Sequence, residues 1–108
     1  MPSQSASGWT GVTLMIYGTD VAPMGPRSAL AVWVMKSSGI DYQLVDATKD
    51  SDARAWAIKR SGTTLFPQIY INGEFIGSGE VIGELMASGF FNHIRSTSLL
   101  ATRGTETR

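Results

Sequence analysis

The chain contains no cysteine. That absence excludes disulfides, thiolate metal sites and cysteine nucleophiles together. Histidine is nearly missing as well: His93 is the single imidazole, with no acidic neighbours in sequence. One imidazole does not make a metal site, and this one belongs near an exposed helix end. Neither sign of charge dominates, because nine Lys and Arg balance nine Asp and Glu. There is no polyanion-binding excess and no acidic tail, so nucleic acid is not an expected partner, and little self-repulsion opposes self-association. No apolar run approaches the ~20 residues that span a bilayer, so no membrane partner is expected. Met1 to Ser7 has neither the basic residues nor the apolar stretch of a secretory signal, which makes the cytoplasm the default compartment.

What remains, 108 residues of which 43% are hydrophobic, suffices for one compact domain and not for two. Residues 1–11 read as a flexible Ser/Gly-rich arm and residues 96–108 as a flexible tail, leaving 12–95 as the domain. Val12–Tyr17 is β-rich and reads as a buried strand. Pro26 suits the first position of a helix that stops at Gly39. Ile40–Asp46 reads as a second strand. Asp50 or Ser51 caps a helix that ends near Arg60–Gly62, with basic residues in its last turn. Gln68–Ile71 and Glu74–Ile76 form a hairpin across Asn72–Gly73, a strong two-residue turn signal. Helices follow over Gly79–Ser88 and Phe90–Arg95. Strands alternating with helices predict three parallel strands joined by right-handed crossovers, with the hairpin adding an antiparallel edge.

Phe66 to Gly77 is the most specific stretch: a proline before an apolar run, an Asn-Gly turn, and a second apolar run into glycine. It resembles the strand–turn–strand of glutaredoxins, where the proline is cis and faces the active site. The resemblance covers about Val12 to Ile94 and is nearest to the monothiol class. That class has a lysine-glycine-threonine step, then a loop, then Cys-Gly-Phe-Ser. The corresponding residues are Tyr17–Gly18–Thr19 and Gly25–Pro26–Arg27–Ser28, with the spacing of the monothiol loop. The implied fold is thioredoxin-like α/β, a four-stranded mixed sheet flanked by helices.

The resemblance also shows what is changed. Gly25 occupies the family's cysteine position and Ser28 the tetrad serine, so no catalytic residue is assigned. Tyr17 stands for the lysine, and Thr63–Thr64–Leu65 for the Trp-Pro-Thr before the proline. Thiol–disulfide exchange requires a thiolate, and cluster iron takes thiolates too. No redox chemistry, no iron–sulfur cluster and no metal is therefore expected. The binding half of the site carries over better. Arg54, 13 residues before Pro67, falls where the family grips a glutathione carboxylate, a task suited to a guanidinium; a solvated helix arginine is the plainer alternative. Phe66 would wall the pocket and offer backbone groups to an extended peptide, or simply pack in the core. Gly79 and Glu80 match the backbone and acid that take the γ-glutamyl end, while Glu80 would also complement its helix dipole. Arg27 opposes the dipole of the first helix, so it either turns into solvent or helps hold an anion there. Any glutathione site built from Tyr17, Arg27, Arg54, Phe66, Pro67, Gly79 and Glu80 should be weaker than in a thiol-bearing relative.

The first helix is apolar on every face from Ala29 to Met35. Either Trp33 is lost in the core, or Met24 and Trp33 form a patch for a protein partner or a second copy; seven apolar residues in succession favour the patch. The resulting expectation is a non-catalytic binding module for a glutathione-like peptide or a protein partner. A glutathione-dependent redox or cluster-transfer protein and a structural dimerisation module are the alternatives.

Overall fold

The computed structural model describes residues 9–96. The arm before Trp9 and the tail after Ser96 lie outside the described residues. Four strands, β1 (Val12–Ile16), β2 (Tyr42–Asp46), β3 (Gln68–Ile71) and β4 (Glu74–Ser78), form one mixed sheet in the order β2-β1-β3-β4. The helices are α1 (Pro26–Ser38), α2 (Ser51–Ser61), α3 (Val81–Ala87) and α4 (Phe90–Ser96). The expected element order and thioredoxin-like α/β class both hold. Among the described residues no helix is long and apolar enough to cross a membrane.

Local chemistry accounts for the helix limits. Pro26 opens α1, and Gly39 closes it in the left-handed conformation at φ 69°, its N–H donating to the Lys36 carbonyl. Asp50, rather than Ser51, caps α2: its carboxylate accepts from the Ala53 N–H at 3.0 Å. The Asn72–Gly73 turn has positive φ at both residues, as a type I′ hairpin requires. β2 starts two residues later than expected, β4 runs on to Ser78, and α3 is shorter at both ends.

One expectation fails in direction. β1 and β2 are parallel, but β3 runs antiparallel to β1, pairing Val12 with Ile71 and Met15 with Gln68. Alternation of strand and helix fixes direction only when the connection retraces the strand. Here the chain after α2 passes through 62–67 and enters β3 beside the C-terminal end of β1. The antiparallel pairing therefore sets Pro67 next to the end of β1, where Tyr17 stands.

The sheet has a core on each face. Val12, Leu14 and Ile16 of β1, with Ile69 and Ile71, pack under Val34, Met35, Ile82, Phe91 and Ile94 of α1, α3 and α4. Met15, Val45 and Tyr70 point the other way, against α2 through Ala53 and Ala57. The second core also contains Trp9, assigned above to the flexible arm. Its ring is buried and sits edge-on to Trp56 and to Tyr70, at 5.2 Å each. Gly11 and Asn72 exchange hydrogen bonds of 2.7 and 2.9 Å, fastening this segment to the hairpin turn. Trp9 and Gly11 thus pack with the domain. A lone aromatic in a Ser/Gly-rich stretch gives no periodic signal from which this could be read.

Candidate ligand-binding groove

Four chain segments meet where β1 ends and β3 begins. The first is the loop from Tyr17 to Gly25. It is compact: the Met24 N–H donates to the Tyr17 carbonyl at 2.8 Å, and Thr19 and Ala22 bond to each other. Asp46 ties it to β2 by accepting from the Gly18 N–H at 3.0 Å. Burial alone would raise the Asp46 carboxyl. Bonds from the Thr48 hydroxyl and N–H and from Gly18, with Lys49 nearby, outweigh burial and hold it below the usual carboxylate range. Asp20 adds a second tie to Tyr42, whose hydroxyl is raised by burial, then by the charge and hydrogen bond of Asp20. Gly18 cannot carry a side chain, since a Cβ would lie 2.5 Å from the Ala22 carbonyl oxygen.

The second segment is the start of α1. Gly25 precedes it at φ 92°, ψ 160°, a conformation essentially restricted to glycine. Apart from its chain neighbours, nothing among the described residues lies within 4 Å of where its Cβ would be. No side chain caps the helix and no acid stands in its first turn. Ser28 is buried. Arg27 neither turns freely into solvent nor faces the helix end alone: its guanidinium meets the Glu80 carboxylate at 3.2 Å. Both side chains are mostly exposed, at 54% and 77%. This pair joins α1 to the third segment, the turn between β4 and α3.

In that turn Gly79 adopts φ 57°, and its N–H donates to the Pro67 carbonyl at 2.8 Å. The backbone donor expected for a ligand is thus already spent on the fourth segment, 61–67. Here the Phe66–Pro67 bond is cis. Phe66 is buried, with Tyr17 edge-on to its ring at 5.2 Å. The Phe66 N–H and C=O have no hydrogen-bond partner among the described residues.

The seven expected ligand residues therefore fall into linked groups. Tyr17 packs on Phe66, Arg27 pairs with Glu80, and Gly79 bonds Pro67. Arg54 stands apart on α2, exposed, with no side-chain partner among the described residues. The arginine of α2 that does make contacts is Arg60, which lies 5.7 Å over the Trp56 ring and 3.4 Å from Glu74.

Sequence reasoning gave no role to Gln68. Its buried amide donates to Ser61 Oγ, Thr63 O and Leu65 O at 3.2–3.3 Å, and its carbonyl accepts from the Tyr70 hydroxyl at 2.7 Å. One side chain thereby holds the segment that leads into the cis bond. A glutamine directly after the proline at the head of an apolar strand is the signal that could have revealed this: buried there, it must find partners.

These observations agree with comparison to known proteins. The glutaredoxin family model matches residues 14–76, more than half of the chain. The chain belongs to the glutaredoxin family. Among its relatives, a probable monothiol glutaredoxin GrlA of Legionella pneumophila is 34% identical over 76 residues, covering 70% of this chain and 85% of that one. Solved glutaredoxin structures superpose well. Reduced poplar apo GrxS14 gives a TM-score of 0.66 at 28% identity, over 80% of each chain. The mature 1CGrx1 of Trypanosoma brucei gives 0.73 at 24% identity, covering 80% of this chain and 61% of that one, and shows the shared fold. This glutaredoxin differs from what its family name suggests in one respect legible without any structure: it has no thiol.

Proposed function

We propose that this protein is a non-catalytic binding member of the glutaredoxin family, which holds a glutathione-like or carboxylate-bearing peptide in the groove beside Phe66 and Pro67. The observation that carries the reading is the pairing of two facts. The chain offers no thiolate for exchange, yet Phe66, walled by Tyr17, keeps its backbone N–H and C=O free for an extended peptide. Arg54 supplies a free guanidinium for a carboxylate. The Arg27–Glu80 pair would have to open, or accept a ligand at its outer edge, for either charge to take part. Cluster iron takes thiolates; the donor set here does not fit an iron–sulfur cluster, and we assign no step to one.

Calorimetric titration with reduced glutathione tests the reading. Weak binding is expected in the millimolar range, about −4 kcal/mol. Arg54→Ala should weaken binding by the contribution of one exposed ion pair, about 1 kcal/mol or less, because Arg54 stands apart on α2 and is exposed. No heat at any concentration would remove the ligand hypothesis, and disulfide reduction above the buffer rate would overturn the non-catalytic one. A second reading, a protein-partner surface on α1, is favoured by a separate observation: Met24 and Trp33 are 58% and 56% exposed.

A further inference from the structure

α1 and α3 lie side by side over the aliphatic core and run in the same direction. Two contacts set their alignment. Arg27 pairs with Glu80, and Leu30 comes within 3.9 Å of where a Cβ on Gly83 would sit. Glu84 therefore stands about level with residue 31 of α1. The outer surface of this pair of helices is apolar at its middle, where Trp33, Leu30 and Val81 are all exposed. Its charges are sorted by helix. α1 carries cations only, Arg27 and Lys36; α3 and its cap carry acids only, Glu80 and Glu84. Arg27 and Glu80 neutralise each other. Lys36 and Glu84, both exposed, have no ion-pair partner among the described residues.

We propose that this face is covered by a second copy of the same chain, related by a twofold axis that passes between α1 and α3 about level with Trp33. Rotation about that axis lays α1 of one copy across α3 of the other, antiparallel. Lys36 of each copy then faces Glu84 of the other, giving two equivalent ion pairs. The two Trp33 side chains meet near the axis, in the central position where a buried aromatic contributes most to an interface. An unrelated partner would need its own matching order of charges. A second copy has that order built in, because the cationic and the acidic helix are parallel neighbours within one chain. The formal net charge of zero leaves little long-range repulsion between copies. The proposal goes beyond groove binding and does not depend on it.

Sedimentation equilibrium of the full chain, from micromolar to about 1 mM, tests it. A reversible dimer is expected. Lys36→Glu and Glu84→Lys each place like charges opposite one another at both ends of the interface and should weaken dimerisation about tenfold or more. The double variant K36E/E84K restores the pairing in reverse and should return close to wild type. Trp33→Ala should weaken dimerisation further than either single reversal, and the emission of Trp33 should shift to the blue with concentration in the parent chain. All three positions are exposed, and circular dichroism verifies that the variants fold. A monomer throughout the range would leave the face to a different protein and overturn the proposal. So would a dimer indifferent to Trp33→Ala, or single reversals that the double variant fails to rescue. Glutathione titration of K36E should match the parent chain, so failure of the dimer and failure of the groove reading are separable.

Discussion

The two faces of the sheet are packed with different materials. Under α1, α3 and α4 the buried residues are almost all aliphatic, with Phe91 the one buried aromatic. Under α2 the buried volume is concentrated in rings: Trp9, Tyr70 and Phe66, with Trp56, Tyr17 and Phe75 packed against them. The aliphatic face spreads its stabilisation over many interchangeable side chains contributed by five elements. The aromatic face depends on a few large residues, one of which arrives from the segment ahead of the first strand, and on polar bonds made by Gln68 and Tyr70. A core of the first kind tolerates repacking, whereas a core of the second kind is sensitive at single positions.

The largest test of that contrast is a pair of truncations. Trp9→Ala should cost about 4 kcal/mol and Leu14→Ala about 3 kcal/mol, both read from urea unfolding. Equal or reversed costs would break the distinction. Trp9→Phe sharpens it: the buried indole N–H has no partner among the described residues, so its loss removes no hydrogen bond there and the cost should be only about 1 kcal/mol. Next comes Tyr70→Phe, which deletes the bond to Gln68 and should cost about 1.5 kcal/mol. Burial pushes the Tyr70 hydroxyl up to about 12, against smaller lowering effects of Ser61 and Arg60. The ordinary value is near 10. The protonated hydroxyl therefore contributes stability that is intact below about pH 10 and lost as pH rises toward 12. Melting curves across that range should fall more steeply for the parent than for Tyr70→Phe. Gly25→Ala, on the other side of the sheet, should cost about 1–2 kcal/mol by backbone strain alone, since the space around it is open. The smallest effect belongs to Arg27→Ala, under about 0.5 kcal/mol, because both partners of that ion pair are mostly solvated.

How far the sequence could be read differs between the faces for the same reason. Pro26, Gly39, Asp50 and the Asn72–Gly73 turn act on their own neighbours, so the elements they bound were legible. The β-rich run Val12–Tyr17 also marked a buried strand, which the structure places over Val12–Ile16. Trp9 was not legible, because its burial is decided by Trp56 and Tyr70, which lie far along the chain. The direction of β3 was missed because helix–strand alternation says nothing about where a connection deposits the chain. At the groove, the cis Phe66–Pro67 bond was implied by the resemblance of its surrounding stretch to glutaredoxins. The partners of Arg27 and of Gly79 were not, since each is supplied by a different segment. The apolar run on α1 did contain the ambiguity the structure resolves: Val32, Val34 and Met35 go inward, while Leu30 and Trp33 remain exposed.

Gly25 bears on any attempt to graft a thiol onto this chain. The backbone there stands at φ 92° and ψ 160°, so a cysteine would meet the same strain as any other L-residue, however much room surrounds it. An engineered sulfur would start with a handicap of about 1–2 kcal/mol before any chemistry began. A graft that relaxed the entrance to α1 would escape that handicap only by holding its sulfur somewhere else.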